Sequence, residues 1–387
     1  MERLHLCIAG LLITSLCTYP AASQNALKVG FWPAYSVSEF PPSKINSRLF
    51  THLYYAFAEL NAPTFEVRVP PGSEKTAEDF TPTVRRLNPS VKTLISIGGG
   101  GSEVRDNFAK LNSDASARQR FVKSSIALAR RYGFHGLDLD YEYPEPQLEM
   151  ENFVKLVSEL TAAIREEART SGKPRLLLTE AVYFHQKLFP WEVVTEYPVQ
   201  FIAAGLDWVN VMAYDFHGSW ENFTGAPAAL RDPNSKFTAS VGIESFLAAG
   251  MPPEKLVLGI PLFGRSWLLK NNNEVGIGAP AVGAGPVDGA LSFSEIQNFI
   301  RGGAREVFDT TTVSAYAYKD NVWVGYDNQQ SVALKVQYAK EKRLGGYFFW
   351  SVNQDIDAIL PKIASDTWGG TNLEDIKVWP SNLRLTA

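Results

Sequence analysis

The stretch GFHGLDLDYEYP, residues 133–144, places three acids, Asp138, Asp140 and Glu142, at every second position. Side chains alternate between the two faces of a strand, so the three carboxyls share one face and Leu, Leu and Tyr share the other. Neighbouring like charges repel each other, and acidic residues are depleted in strands. The pattern therefore favours a buried acid cluster with separated pKa values over an ordinary strand that faces solvent.

On both sides of this stretch, apolar runs rich in β-forming residues alternate with helical patterns. The predicted helices include 115–133, 148–172 and 331–343. Eight strands are predicted, at 28–32, 52–60, 92–98, 136–142, 175–183, 208–214, 256–263 and 345–352. Buried parallel strands have this continuous apolar character. Eight strands that alternate with helices predict a (β/α)8 barrel, the TIM barrel fold.

The segment between the seventh and eighth strands is about twice as long as the other connections. It contains an amphipathic piece at 292–301 and the aromatic, strand-like runs VSAYAYKD and NVWVGYD. We interpret 268–340 as a small α+β insertion on the barrel, and 24–387 as one catalytic barrel domain that includes it.

The N-terminus has the pattern of a secretory signal. Residues 4–17 form an apolar run too short to span a bilayer, and Ala21 and Ser23 have the spacing of a cleavage site. Residues 1–23 are therefore predicted to be a signal peptide, and both cysteines, Cys7 and Cys17, lie within it. We expect a secreted protein without disulfides or membrane association. The tail 378–387 could pack against the barrel or act as a sorting signal, so a location in the apoplast and one in the vacuole both stay open.

Charge and spacing argue against several classes of partner. The 387 residues are 45% hydrophobic and carry a net charge of −4, without a basic cluster of the kind that binds nucleic acid. His185 and His217 lack metal-ligand spacing, and the glycine run at 98–101 lacks the lysine of a phosphate-binding loop. We expect no metal, no cofactor and a monomer. Asn222 begins the sequence Asn-Phe-Thr and is a candidate for N-glycosylation.

The acids end the fourth strand, and the carboxyl ends of barrel strands carry the active site in this fold. Other strand ends are expected to add polar and aromatic groups to the same mouth. These are Phe57, Gly98 to Gly101, Glu180, Tyr183, Met212, Tyr214, Asp215, Arg265 and Trp350. Aromatic side chains can also be core residues, and this is favoured for Phe348 and Phe349. A cleft with acids at its centre and aromatic walls suits a carbohydrate, whose rings have apolar faces and hydroxyl edges.

Four motifs in barrel order resemble family 18 glycoside hydrolases, the chitinases. GLDLDYE (136–142) resembles their DxxDxDxE signature, and LISIGGG (94–100) resembles their SxGG motif. MAYDFHG (212–218) and YFFWSV (347–352) resemble their sixth-strand and eighth-strand motifs. The resemblance covers nearly the whole chain after the signal, and phrases such as GIPLFGRSW are similar to the plant class V branch.

The resemblance implies roles for individual residues. Glu142 would be the catalytic acid and then the base, Asp140 would bind the acetamido N–H of the substrate, and Asp138 would share a proton with Asp140. Tyr214 would donate its hydroxyl to the acetamido carbonyl, which replaces a protein nucleophile. The substrate-binding positions of the family match Phe57, Gly98, Gly99, Met212, Asp215, Arg265 and Trp350.

Three positions depart from the family pattern. His135 replaces the first Asp of the signature, and alternation points it away from the acid face. Phe31 stands where many members have Tyr, so one hydroxyl near the aspartates is missing. Gly100 replaces the Trp that follows SxGG in animal relatives, which removes an aromatic wall.

The resemblance implies a secreted, retaining chitinase that cleaves β-1,4-linked N-acetylglucosamine oligomers, an activity associated with plant defence. Two alternatives stay open. One is a lectin of the same fold with weak or no hydrolysis, since some relatives have lost catalysis. The other is a hydrolase narrowed to lipochitooligosaccharide (Nod factor) signals. Retained Glu142 favours an enzyme over a lectin, but endo and exo action are equally compatible with the sequence.

Overall fold

The structure is a computed structural model that describes residues 26–189 and 194–371. Eight parallel strands form a closed barrel, because the first strand pairs with both the second and the last. The predicted TIM barrel is therefore confirmed. The barrel strands are β1 Leu27–Pro33, β2 His52–Asn61, β3 Lys92–Gly98, β4 Gly136–Asp140, β5 Leu177–Tyr183, β6 Trp208–Met212, β7 Leu256–Pro261 and β8 Gly346–Trp350.

The helices connect these strands and cover the outside of the barrel. They are α1 Glu74–Arg85, α2 Ser102–Ser113, α3 Ala115–Arg131, α4 Gln147–Ser171, α5 Val199–Gly205, α6 Ala239–Ala248, α7 Phe293–Arg301, α8 Gln329–Glu341 and α9 Ile359–Gly369. In α4, Phe153, Val157 and Leu160 are buried at helical spacing. This helix ends at Gly172, whose φ of 69° is left-handed and suits a glycine C-cap.

Two buried layers result from the alternation along each strand. On β4, Leu137 and Leu139 belong to the layer between the barrel and the helices. Asp138 and Asp140 point into the barrel, where both are almost fully buried. The interior also contains an apolar cluster that includes Phe31, Tyr54, Trp208 and Phe348. The acids therefore lie above a packed interior rather than an open channel, as in other barrels of this kind.

Several barrel strands end earlier than predicted. The fourth ends at Asp140 instead of residue 142, the sixth at Met212 instead of 214, and the seventh at Pro261 instead of 263. At the carboxyl ends the neighbouring barrel strands diverge, so the last residues of these three predicted strands have no partner in the barrel sheet. Glu142 and Tyr214 consequently lie two residues beyond their strands.

A second, six-stranded sheet lies between β7 and β8, with bounds that differ from the predicted 268–340. Its strands are Phe263–Leu269, Ala281–Ala284, Ala290–Ser292, Arg305–Asp309, Ser314–Lys319 and Val322–Tyr326. It begins directly after β7, so Arg265 belongs to this sheet. Its helix α7 starts with a capping box between Ser292 and Glu295. Helix α8 packs against β8 and α9, and is therefore part of the barrel.

The predicted signal peptide and the tail 378–387 lie outside the described residues. Within the described ranges, none of the helices combines the length and hydropathy needed to cross a bilayer. In the same part of the chain, no three His, Cys, Asp or Glu side chains cluster in a way that would hold a metal ion.

Candidate active site

A cleft of about 400 Å³ opens at the carboxyl ends of the barrel strands and contains the acids. It brings together eight of the eleven predicted catalytic and substrate-binding residues: Phe57, Asp140, Glu142, Met212, Tyr214, Asp215, Arg265 and Trp350. Residues from the second sheet, Phe263, Arg265 and Ala290, form part of the wall. A larger cavity of about 750 Å³ lies between Glu66–Arg68 and α3, but it contains none of the predicted site residues.

Asp138 lies directly beneath the cleft and accepts three hydrogen bonds. Ser96 Oγ donates to its Oδ2 over 2.7 Å, while Thr179 Oγ1 and Asn210 Nδ2 donate to its Oδ1 over 2.6 and 3.2 Å. Full burial raises the pKa of Asp138 to about 7, although the three donors act in the opposite direction. Asp138 is therefore a buried carboxyl whose protonation state changes near neutral pH.

Asp140 and Glu142 share a hydrogen bond, which requires a proton on one of the two carboxyls. Burial and the neighbouring Glu142 and Asp138 raise the pKa of Asp140 well above its usual range. Burial also raises the pKa of Glu142, and the negative charge of Asp215 adds to this effect. The pair thus retains a transferable proton at a pH where an ordinary carboxyl has lost it.

Tyr214 contributes a phenol hydroxyl to the cleft close to these acids. Burial, followed by the charges of Asp140 and Glu142, raises the pKa of Tyr214 well above its usual range. The hydroxyl therefore stays protonated and can donate a hydrogen bond to a carbonyl oxygen of a ligand.

Asp215 and Arg265 form an ion pair at the rim of the cleft. The Nε of Arg265 donates to Asp215 Oδ1 over 2.8 Å, and the Asp215 backbone is left-handed with a φ of 59°. A non-glycine residue in this region costs conformational energy and is often found at functional sites. The guanidinium also lies over the rings of Trp220 and Phe263, at 5.3 and 5.2 Å from their centroids. The carboxylate of Asp215 is thus engaged by a cation and held at the rim.

Aromatic side chains form the floor of the cleft. The Trp350 ring is stacked on Phe57, with centroids 5.6 Å apart and an interplanar angle of 27°. Phe31 supports Trp350 edge-on from below at 5.8 Å. Phe31 itself is buried and lies in the barrel interior.

Gly98 and Gly99 shape the cleft from behind and are not among its lining residues. Both have positive φ, and a Cβ on Gly98 would come within 2.1 Å of the Asp140 carbonyl oxygen. A Cβ on Gly99 would come within 2.8 Å of the Phe57 ring. The third glycine, Gly100, does line the cleft, facing the carboxyl of Glu142.

Two other sequence positions lie away from the chemistry. His135 precedes β4, and its Nδ1 accepts a hydrogen bond from the Thr93 backbone N–H over 3.0 Å. Asn222 is exposed in the loop after β6. Its glycosylation stays a prediction.

The expectation that Glu180 points into the mouth of the barrel is wrong. Its register partners are Leu139 and Val209, which belong to the layer outside the barrel. Glu180 is 1% exposed there, and burial, followed by the charge of Asp138, raises its pKa well above the usual range. Its neighbours Thr179 and Ala181 are the residues of β5 that face inward.

This buried acid makes the stability of the protein depend on pH. The folded-state pKa of Glu180 is raised above its unfolded value of about 4.3. Its contribution to the free energy of unfolding is therefore fully present below that pH and is lost as pH rises through the folded-state pKa. We expect Glu180→Gln to melt at a higher temperature than the wild type near pH 8, by on the order of 2 °C or more. The difference should shrink towards pH 5.

Thermal melts of both proteins from pH 5 to pH 8 measure this effect, with Glu103→Gln as an exposed control on α2. A difference in melting temperature that stays constant over this range would contradict a titrating Glu180.

Five further residues line the cleft without having been predicted as substrate-binding: Tyr143, Tyr183, Phe263, Ala290 and Gln354. Tyr143 directly follows the acid, and Tyr183 ends β5, so both had a signal in the sequence. Phe263 and Ala290 come from the second sheet, and Gln354 comes from the loop after β8. Their positions depend on how that sheet and loop pack, which no local pattern shows.

Comparison with known proteins agrees with this geometry. The family model described as glycosyl hydrolases family 18 matches residues 28–355. A class V chitinase from Arabidopsis thaliana is 45% identical over 353 residues, which cover 90% of this chain and 91% of that protein. Nod factor hydrolase protein 1 from Medicago truncatula is 41% identical, over 85% of this chain and 87% of that protein.

Two solved structures are informative. A GH18 chitinase from Cycas revoluta in complex with (GlcNAc)3 is 99% identical, with a TM-score of 0.88, and the match covers 89% of this chain and 100% of that one. The chitinase-like agglutinin RobpsCRA from Robinia pseudoacacia is 42% identical, with a TM-score of 0.82, over 88% of this chain and 99% of that one.

The chain therefore belongs to the family 18 glycosyl hydrolases. Within that family, the comparisons group it with the chitinases of plant class V type.

Proposed function

We propose that this protein is a secreted, retaining chitinase that cleaves β-1,4-linked N-acetylglucosamine oligomers with the substrate's own acetamido group as nucleophile. The observation that carries the proposal is the pair of adjacent carboxyls Asp140 and Glu142, whose pKa values are raised by burial, in a cleft with a donor hydroxyl, that of Tyr214, and an aromatic floor. A solved relative with bound (GlcNAc)3 supports this class of ligand.

In the first step Glu142 protonates the glycosidic oxygen, because its raised pKa keeps a proton available. The acetamido carbonyl oxygen attacks C1, and the bond to the leaving sugar breaks. Tyr214 donates a hydrogen bond to this carbonyl oxygen, and Asp140 accepts one from the acetamido N–H. The proton transfer leaves Glu142 as a carboxylate. Asp138, whose pKa burial raises to about 7, can share a proton with Asp140 and so limit the charge on the three acids.

In the second step Glu142, now a carboxylate, removes a proton from water, and this water attacks C1 of the cyclic oxazolinium ion. Two inversions at C1 give retention of configuration. An intramolecular nucleophile has already lost its translational freedom, which lowers a barrier by about 7–11 kcal/mol in well-oriented systems. The acetamido group thus takes the role that a second carboxylate has in other retaining enzymes.

The carboxyls that line the described cleft are poorly placed to replace the acetamido group as the nucleophile. They are Asp140, Glu142 and Asp215. Asp140 is on the same strand segment as the acid, and Asp215 is bound to Arg265. The arrangement therefore favours a nucleophile supplied by the substrate.

A lectin that binds the same oligomers without cleaving them is the second candidate, because the agglutinin from Robinia pseudoacacia is a relative. A third is a hydrolase narrowed to lipid-substituted oligomers, because a relative is named Nod factor hydrolase. The retained Glu142–Asp140 pair favours hydrolysis over binding alone.

Product analysis by mass and by anomer, on chitooligosaccharides beside a lipid-substituted analogue, separates the three. We expect cleavage of the plain oligomers with the β-anomer formed first, and the product lengths distinguish endo from exo action. Binding without cleavage over long incubation would identify a lectin. Cleavage confined to the lipid-substituted analogue would indicate the narrowed hydrolase.

Secretion belongs to this proposal and rests on residues 4–17, 21 and 23. N-terminal sequencing of the mature protein checks it, and a first residue at Met1 would contradict it. We propose that the protein acts as a monomer in the apoplast or the vacuole.

A further inference from the structure

A chain of hydroxyl groups crosses the barrel interior to Asp138. Tyr54 on β2 is completely buried, and its hydroxyl lies 3.0 Å from Thr179 Oγ1 on β5. Thr179 Oγ1 in turn lies 2.6 Å from Asp138 Oδ1 on β4. The contacts join residues whose strands are not neighbours in the sheet, since β2 and β5 are separated by β3 and β4.

The number of protons sets the direction of this chain. A hydroxyl has one proton to donate, and Thr179 donates its proton to Asp138. Thr179 must therefore accept in its contact with Tyr54, so the Tyr54 hydroxyl donates. The resulting order is Tyr54 to Thr179 to Asp138, with every proton directed at the carboxyl.

We propose that Tyr54 is a positioning residue for the acid cluster, which acts through Thr179 to hold Asp138 as the hydrogen-bond acceptor beneath Asp140. This deepens the proposed function and rests on it. Tyr54 would touch neither the substrate nor the reacting atoms. Its contribution would be to fix where the shared proton of the cluster resides before the reaction starts.

The location of the shared proton matters because the protonation state of Asp138 changes near neutral pH. Its pKa of about 7 is a balance between burial, which favours the neutral form, and its hydrogen-bond donors, which favour the carboxylate. Hydrogen bonds in a chain polarise one another, so a donor to Thr179 strengthens the bond from Thr179 to Asp138. When Asp138 is ionised, the proton of the cluster stays with Asp140 and Glu142, where the reaction uses it.

Several titratable groups act on Asp138 from the elements around it. They are Tyr54 from β2, Asp140 on β4 itself, Glu180 from β5 and Tyr214 after β6. Asp140, Glu180 and Asp138 have like charges when ionised. Ser96, Thr179 and Asn210 are the uncharged donors.

Tyr54 packs against Phe31, the position at which many family members have a tyrosine. Phe31 and Tyr54 are register partners on β1 and β2, with ring centroids 4.4 Å apart. Phe31 has no hydroxyl, so the phenol of this ring pair that reaches the acids is that of Tyr54.

The test measures the carboxyl of Asp138 directly. Carbon-13 NMR of protein labelled at aspartate carboxyls follows its titration in the wild type and in Tyr54→Phe, which removes one oxygen and keeps the ring. We expect the midpoint to rise by about 0.3–1 pH unit, since Thr179 loses the donor that strengthens its hydrogen bond to the carboxylate form of Asp138. The acidic limb of kcat/KM should move to higher pH by the same amount, which lowers activity roughly two- to tenfold at its acidic end.

Tyr55→Phe is the matched control. Tyr55 is the next residue on β2 and equally buried, but its ring faces the outer layer, against Phe80 and Phe134. Removal of its hydroxyl should change neither the midpoint nor the acidic limb.

Thr179→Val provides the second variant, because it breaks the chain in the middle without changing the shape. If Tyr54 acts through Thr179, Tyr54→Phe should cause no further shift of the midpoint in this background. An equal shift in both backgrounds, an unchanged midpoint in Tyr54→Phe, or the same shift in Tyr55→Phe would each overturn the inference. The NMR titration requires no turnover, so a protein that cleaves nothing would refute the proposed function and leave this test intact.

Discussion

Replacement of Glu142 by glutamine is expected to lower kcat by at least about 10²–10⁴-fold, while oligomers still bind. Glutamine keeps the shape and the hydrogen-bonding capacity of the side chain but has no proton to transfer to the leaving sugar. Burial raises the pKa of Glu142, so the wild type should stay active above the usual range of a glutamate and lose activity as pH rises through that raised value.

Steady-state kinetics on a defined N-acetylglucosamine oligomer, together with calorimetric binding, measure both expectations. Glu103→Gln, an exposed carboxyl that follows the glycine loop, is the control and should keep the wild-type kcat. An unchanged kcat in Glu142→Gln is incompatible with Glu142 as the acid. A parallel loss of binding would mean that the change disturbed the cleft itself.

Complete deacetylation of the substrate is expected to have an even larger effect. A glucosamine oligomer has no acetamido carbonyl. Asp138 and Asp140 on β4 and Glu142 two residues beyond it come from one short segment of the chain, not from opposite sides of the sugar. The loss of an oriented intramolecular nucleophile corresponds to at least about 10⁵-fold in rate, so the oligomer should remain uncut. It should also bind weakly, because Tyr214 and Asp140 lose the amide they would contact.

Chromatography of the two oligomers after matched incubation provides the measurement. A thiazoline mimic of the cyclised intermediate should inhibit cleavage of the acetylated oligomer, because it has the shape and charge that Asp140 and Tyr214 are arranged to stabilise. Inhibition by the mimic combined with rapid cleavage of the deacetylated oligomer would show that the mimic binds but that a protein group is the nucleophile.

The strand pattern around Asp138 could be interpreted from the sequence because alternation is a local property. Three acids at a period of two predict one shared face, and the structure places Asp138 and Asp140 on it, with Leu137 and Leu139 opposite. The barrel followed from the repeated alternation of strands and helices. Both conclusions depend only on residues close together in the chain.

Contacts across the barrel had no such signal. The hydrogen bonds from Thr179 and Asn210 to Asp138 join β5 and β6 to β4, and their geometry depends on the stagger of the closed sheet. The sequence did not fix the phase of this strand: Glu180 and Tyr183 were both assigned to the mouth, although alternation places positions three apart on opposite faces. The structure settles this phase through the pairing of Glu180 with Leu139.

The rim of the cleft was the least predictable part. Phe263 and Ala290 enter through the second sheet, whose first strand follows β7 after one residue. Gly98 and Gly99 were expected to bind substrate, but their positive φ and close approach to Asp140 and Phe57 give them a role in backbone packing. Motif matching finds the chemical groups of a site more readily than the walls around it, because walls come from loops and insertions.

The most direct measurement of the central claim is to sequence the new reducing ends formed from partly acetylated chitosan oligomers by mass spectrometry. If the acetamido carbonyl attacks C1, every sugar that precedes a cleaved bond must carry an acetyl group, whereas the sugar after the bond can be of either kind. We predict N-acetylglucosamine at all new reducing ends. Glucosamine at these ends in proportion to its abundance in the substrate would contradict substrate-assisted catalysis and require a nucleophile from the protein.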